Sequence, residues 1–209
     1  CASSGTRRGA APLRLVVRRE RIMMNQDEIL PYCRARLNEL KVLLSRGDAW
    51  GFLCIAAYID FLSKLVEGED TKSDGYKLLV ESYFPEKYRT FTYGSGKVDL
   101  YYQMYHIFRC GLIHTLSLYP DHEQFTKPGG KYQGRPRSVL LTHDGLSSDG
   151  RFFPHLSHYN ENGIDAAVIH ANDLFEDVRA ATETALATPN LRVKARAWVS
   201  LSPPIGVNC

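Results

Sequence analysis

Apolar residues recur along most of the chain at intervals of three and four, a spacing that places them on one face of a helix. Cys33, Leu37, Leu40 and Leu44 mark a first helix. Asn25-Gln-Asp-Glu28 precedes them in the form of a capping box, Pro31 is tolerable near the helix start, and Gly47 supplies a residue suited to a left-handed C-terminal cap. Asp48 can cap a second helix over 49–62 (AWGFLCIAAYIDFL), which is apolar on almost every side and therefore belongs at the centre of a bundle. The polar loop 68–75 leads to a third helical run, 76–84 (YKLLVESYF), which Pro85 ends or kinks. A short connection at Gly94, Ser95 and Gly96 opens the longest pattern, 97–118 (KVDLYYQMYHIFRCGLIHTLSL), read as a long helix with Leu100, Met104, Ile107 and Gly111 on one face.

Beyond Leu118 the pattern breaks. Pro120, Pro128, Gly129, Gly130, Gly134 and Pro136 indicate loop structure. Residues 137–143 and 151–158 read as two short strands joined by DGLSSDG, with Pro154 confining the second to an edge. Ile164, Val168, Ala171, Leu174, Phe175, Val178, Ala181 and Ala185 then form the stripe of a final helix, stopped by Pro189. The expectation is an all-α protein: a bundle of about five helices with a small β-hairpin, about 135–158, inserted before the last one.

Charge changes the picture at the ends. The net charge is +3, but residues 1–22 carry +5 and residues 191–209 carry +3, so the segment between them stands at −5. An electrostatic grip on nucleic acid by the whole surface is thereby excluded, and phosphate binding has to be local. The basic stretch 1–22 is read as a disordered or non-native extension ahead of a natural start at Met23 or Met24. The domain is then 23–190, with 191–209 a separate tail. Five cysteines without a CxxC pair give neither a thiol redox motif nor a thiolate zinc site, and suggest a reduced compartment. The longest unbroken apolar run, 49–59, is shorter than the roughly 18 residues of a membrane span, so a cytoplasmic protein without a membrane segment is expected.

Candidate chemistry centres on Arg109 and His114. Arginine and histidine with four to six residues between them are cheap as a pattern: 17 arginines and 7 histidines give about 0.6 chance matches per spacing. Arg137 with His143 and Arg151 with His158 satisfy it too. Only Arg109 and His114 lie on an apolar, aromatic helix, where a permanent charge is hard to accommodate without a partner. Tyr102, Tyr105 and His106 lie one or two turns earlier and offer a polar, aromatic patch that can hold a nucleotide. On a straight α-helix, residues five apart diverge by about 140°. Either Gly111 relaxes the helix, or the two groups serve one site separately, for instance across a subunit interface. Asp60 interrupts the apolar second helix and needs a cationic partner. It either orients a catalytic or phosphate-binding cation, or it pairs with a structural lysine or with solvent.

A bundle whose apolar second helix ends in AAYIDFL, followed by a helix carrying YYQMYHIFRCGLIH, resembles the HEPN superfamily, with Arg109-Cys-Gly-Leu-Ile-His114 matching its Arg-x(4–6)-His motif. The resemblance spans roughly 26–118 and 163–188. It implies a metal-independent endoribonuclease that acts on RNA as a homodimer without a cofactor, in the setting of a toxin–antitoxin or defence system with a cognate partner. Arg109 would bind phosphate and His114 would transfer the proton. Cys110 stands where active members often have a polar residue, and Leu116 where one variant has tyrosine, so a non-catalytic nucleotide-binding or interaction module is the alternative. A metal site from His143, Asp144, Asp149, His155 and His158 is the weaker use of the hairpin, surface histidines being the commoner explanation.

Overall fold

The computed structural model describes residues 26–47, 49–67, 72–115, 118, 128–130, 132–146 and 150–187. The expected caps at Asn25 and Asp48, residues 68–71 of the expected polar loop 68–75 and both terminal extensions lie outside the described residues, while 72–75 of that loop are helical. Helix α1 (Gln26–Leu44) buries Ile29, Cys33, Leu37, Leu40 and Leu44, the face that the spacing marks. Pro31 lies inside α1, not at its start, so the carbonyl four residues earlier lacks its usual donor. Gly47 adopts φ +71° and donates its N–H to Leu44 O at 3.0 Å, closing the helix.

Helix α2 (Ala49–Glu67) is the central element, packing against α1 and three later helices. Phe52, Ile55, Ile59, Leu62 and Leu65 are buried along it. Its full length is apolar enough to cross a membrane by length and composition, but over half of that window is buried inside the fold, which is how a core helix behaves. Helix α3 (Lys72–Tyr83) contributes Tyr76, Leu79 and Val80 to the core. A 3-10 turn, Glu86–Tyr88, follows Pro85.

The all-α expectation is wrong, because the chain also builds two sheets. Strands β1 (Phe91–Tyr93) and β2 (Gly96–Val98) pair antiparallel across Gly94, which sits at φ +58°. Lys97 and Val98, read as the start of the long helix, belong to β2. Helix α4 begins only at residue 101 and is described to 115; the Asp99 carboxylate accepts the Tyr101 N–H at 3.3 Å where it starts.

The second sheet has three strands in the order β3 (Ser138–Thr142), β5 (Ile164–His170), β4 (His158–Glu161). β3 runs parallel to β5, with Ser138 opposite Ala166 and Thr142 opposite His170. β4 pairs antiparallel with β5 through Asn162 and Gly163, whose φ values of +53° and +77° fit the tight two-residue turn favoured between twisted strands. The expected hairpin between 137–143 and 151–158 therefore does not form. Its first strand exists, but the partner is β5; of the second stretch, Phe152 makes an isolated bridge to Leu146 and His158 opens β4. Ile164 and Val168, assigned to the last helix, lie in β5, and α5 starts at Ala171 (Ala171–Ala187). β5 is buried on both faces from Ala166 to His170, so it shows no alternation and its apolar residues match helical spacing by coincidence.

Candidate functional site

Helices α2 and α4 cross where Asp60 meets Arg109. Asp60 Oδ2 accepts from Arg109 Nη2 at 3.1 Å and from Lys64 Nζ at 2.8 Å. Asp60 and Arg109 are largely buried, at 14% and 16% side-chain exposure, while Lys64 is 45% exposed. Asp60 thus pairs both with a lysine one turn on and with the arginine of α4. The group carries one net positive charge, which suits it to an anion.

Arg109 and His114 converge because α4 is wound more loosely than an α-helix. Gln103–Arg109 and Gly111–Thr115 are π-helical, flanking Cys110, whose N–H is shared between the carbonyls of Tyr105 and Ile107. A π turn bonds residue i to i+5, so side chains five apart return to one face. Arg109 Nη1 comes within 3.3 Å of His114 Nε2. The guanidinium can only donate, so Nε2 accepts and the ring proton sits on Nδ1. Of the two arrangements open to the sequence, a relaxed helix is the one observed, but the π winding runs over Gln103–Arg109 and Gly111–Thr115 and is not local to Gly111.

Electrostatics hold the pair charged. Burial works against the Arg109 cation, but its hydrogen bonds to Asp60 and Cys110, with the Asp60 charge, outweigh it and raise its pKa above the usual arginine value. Burial likewise favours a neutral Asp60, yet bonds from Lys64 and Arg109 leave its carboxyl below the usual range. Arg109 Nη1 also points at Cys110 Sγ, 3.6 Å away, and the guanidinium carbon lies 5.5 Å from the centroid of Tyr105. Behind the ion pair, Arg109 Nε and the hydroxyl of the fully buried Tyr76 have no hydrogen-bond partner among the described residues. Tyr76 packs edge-on against Tyr105 with centroids 5.4 Å apart.

The structure keeps the expected aromatic patch together: the His106 ring meets Tyr102 at 5.9 Å and Tyr105 at 4.9 Å. Tyr105 carries the Arg109 guanidinium, and Tyr132 and Arg135, neither of which the sequence singled out, pack against Tyr102. Lys64 had a readable signal, its i+4 spacing from Asp60, whereas Tyr132 and Arg135 come from a Gly- and Pro-rich stretch with no periodicity. The other two Arg/His pairs are engaged elsewhere: Arg137 approaches Asp165 at 3.7 Å and Arg151 bonds Glu161 at 2.6 Å.

The hairpin histidines are likewise dispersed. His158 bonds Asp165 at 2.7 Å, His155 Nε2 lies 3.3 Å from Asp177, and Asp144 accepts the Leu146 N–H; Asp149 lies outside the described residues. A different trio, His155, His170 and Asp173, offers ligand atoms within 4.8 Å of one another. Its nitrogens are already used: His155 Nδ1 accepts the His170 N–H at 3.0 Å, His170 Nδ1 faces Asp173 at 2.9 Å, and His170 Nε2 faces Phe153 O at 2.6 Å. These contacts tie the loop ahead of β4 to α5. Tyr88 donates to Asp177 at 2.9 Å and Lys87 lies 3.1 Å from it, extending the tie to the 3-10 turn.

Burial lowers the His155 pKa from its ordinary 6.5, despite the nearby Asp177 carboxylate. The unfolded chain therefore takes up the proton more readily, and the contribution of His155 to stability is present above pH 6.5 and lost as pH falls below it. Thermal melts at matched ionic strength should show a falling Tm between about pH 7.5 and about pH 5.5, with a shallower fall in His155→Gln. Equal slopes in both proteins would contradict this assignment.

No family model, curated protein or solved structure matches the chain.

Proposed function

We propose that the chain is a metal-independent endoribonuclease of the HEPN type, acting through Arg109 and His114. The observation that carries the reading is their 3.3 Å approach on a π-helical turn, beside a carboxylate that keeps the arginine charged and oriented. Distortions of this kind within helices occur frequently at functional sites. An RNA phosphate would take the forked donors of Arg109 and release His114 Nε2 from them. His114 then accepts the proton of the ribose 2′-hydroxyl as its oxygen attacks phosphorus. The bond to the 5′-oxygen breaks, giving a 2′,3′-cyclic phosphate and, after protonation, a 5′-hydroxyl. One histidine cannot serve both proton transfers in a single step, so the reading includes a homodimer whose second copy supplies the other. Trp50 on α2 and Ile113 on α4, at 62% and 37% exposure, leave apolar surface on the two helices that carry Asp60 and His114, which supports such a contact. A toxin or defence role with a cognate partner rests on the family resemblance alone.

One observation favours a second reading, a module that binds nucleotide or a partner without turnover. Both terminal nitrogens of Arg109 are engaged within the chain, by Asp60 on one side and by His114 and Cys110 on the other. Labelled RNA incubated with the purified protein in EDTA separates the two. Cleavage to cyclic-phosphate ends that disappears in both Arg109→Ala and His114→Ala is the expected result. Binding without cleavage, weakened by Arg109→Ala and indifferent to His114→Ala, would establish the binding module instead.

A further inference from the structure

We propose that Tyr76 is a positioning residue for Arg109: its hydroxyl donates to Asp60 once an RNA phosphate draws the arginine forward, and holds the carboxylate while the arginine works. This rests on the reading of Arg109 and His114 given above. Tyr76 lies on α3 and is fully buried, and its hydroxyl has no hydrogen-bond partner among the described residues. A buried hydroxyl without a partner destabilises a fold. Phenylalanine would fill the same space without that loss, so the reason for a tyrosine lies outside the free protein.

The surroundings supply that reason. The Tyr76 ring packs edge-on against Tyr105 at 5.4 Å, and Tyr105 in turn carries the Arg109 guanidinium at 5.5 Å. Of the charges acting on the hydroxyl, Asp60 is the strongest and Arg109 the next. Burial, with the Asp60 charge behind it, pushes the Tyr76 pKa well above its ordinary value, so the group stays a neutral O–H donor. Arginine and carboxylate frequently meet through two parallel bonds. Here Arg109 reaches Asp60 by Nη2 alone, at 3.1 Å, and its Nε has no partner among the described residues. One arm tethers the arginine, which leaves it free to lean toward a phosphate. Asp60, at 14% exposure, would then keep only Lys64. The Tyr76 hydroxyl fills the place that Arg109 leaves, and brings no second positive charge to compete for the phosphate. Because the hydroxyl gains its partner only in the complex, it favours the complex over the free protein.

The test uses the full chain and two RNA oligomers of one sequence, one natural and one 2′-O-methylated throughout, which can bind but has no 2′-hydroxyl proton to give up. Tyr76→Phe should weaken binding of the methylated oligomer about tenfold, the lower end for a hydrogen bond to a charged group. It should also raise Tm by about 2 °C or more, since the free protein loses only an unpartnered hydroxyl. Both effects should vanish in an Arg109→Ala background, where the hydroxyl serves Asp60 with or without RNA. There Tyr76→Phe should cost no further affinity and should lower Tm instead of raising it. A lower Tm for Tyr76→Phe alone would show a hydroxyl already partnered in the free protein, and unchanged binding would show one with no part in the site. Either result overturns the proposal, as do losses of affinity that add in the double variant. The natural oligomer locates a failure. If the parent cleaves it through Arg109 and His114 while Tyr76→Phe binds as the parent does, the positioning role alone is wrong. If the parent binds neither oligomer, the ribonuclease reading falls and the positioning role with it.

Discussion

Arg109→Ala is expected to reduce RNA cleavage by about a thousandfold or more, because removing an oriented donor from a charged transition state costs that much in comparable sites. Its effect on stability should be far smaller. Asp60 would lose one partner at 3.1 Å but keep Lys64 at 2.8 Å, and Lys64 is exposed enough for water to share the charge. A cost of about 1–2 kcal/mol is expected, below the 3–5 kcal/mol of stranding a fully buried charge. Arg109→Lys distinguishes chemistry from scaffold. A lysine can reach Asp60 or a phosphate, but it has no fork to serve Asp60 and His114 together. It should melt close to the parent and cleave close to the alanine variant. A purely structural ion pair predicts the reverse: Asp60→Ala and Arg109→Ala both strongly destabilised, and Arg109→Lys restored in every property. Initial cleavage rates beside Tm values for the variants decide between them. The pair also has a defined acid limit. The lowered pKa of Asp60 means its contribution is present above the ordinary carboxylate value of 3.8 and is lost as pH falls through its lower folded value.

What could be read from the sequence depended on whether its signal was local. α1, α3 and the body of α5 follow from one-sided apolar spacing, α2 from an apolar run too long for a strand, and the Gly47 cap from glycine's access to positive φ. The sheets did not follow, although one turn could have been recognised: Asn162-Gly163 is a strong short-range hairpin signal and lies directly between β4 and β5. It was obscured because DAAVIH continues into the α5 stripe, and a short strand buried on both faces has the same hydrophobic pattern as a buried helical turn. The parallel pairing of β3 with β5 was beyond reach, since its two strands are separated by β4 and bound by a register that no local residue encodes. At the candidate site the residues could be chosen by context, an arginine on an aromatic helix and an aspartate in an apolar one. Their convergence depended on a π turn that α-helical periodicity argues against. Tyr132 and Arg135 reach the site by tertiary folding of a segment whose composition indicates only loop.

The largest stability loss from a small change is expected at Gly145→Ala. Gly145 sits at φ +86°, where a side chain costs about 1–2 kcal/mol. An added Cβ would also lie 2.5 Å from Cε1 and 2.6 Å from Nε2 of His170, and 2.7 Å from Phe153 O. None of these atoms can retreat cheaply. His170 is held at both ring nitrogens, by Phe153 O and Asp173, and Phe153 donates its own N–H to Gly145 O at 2.9 Å. Moving the ring breaks the tie between the loop and α5, adding about 1–3 kcal/mol of overpacking. The total of about 2–5 kcal/mol should lower Tm by about 4–20 °C for a chain of this size. Gly150→Ala is the control, since φ there is +81° but an added Cβ would meet no described atom within 4 Å. It should show the backbone strain alone, a loss of about 1–2 kcal/mol. Equal Tm losses in the two variants would mean that His170 yields without cost. The Gly145 variant should still cleave RNA when assayed well below its Tm, because Asp60, Arg109 and His114 are carried by α2 and α4, and a specific loss of cleavage in the folded variant would show that the His170 region supports the site.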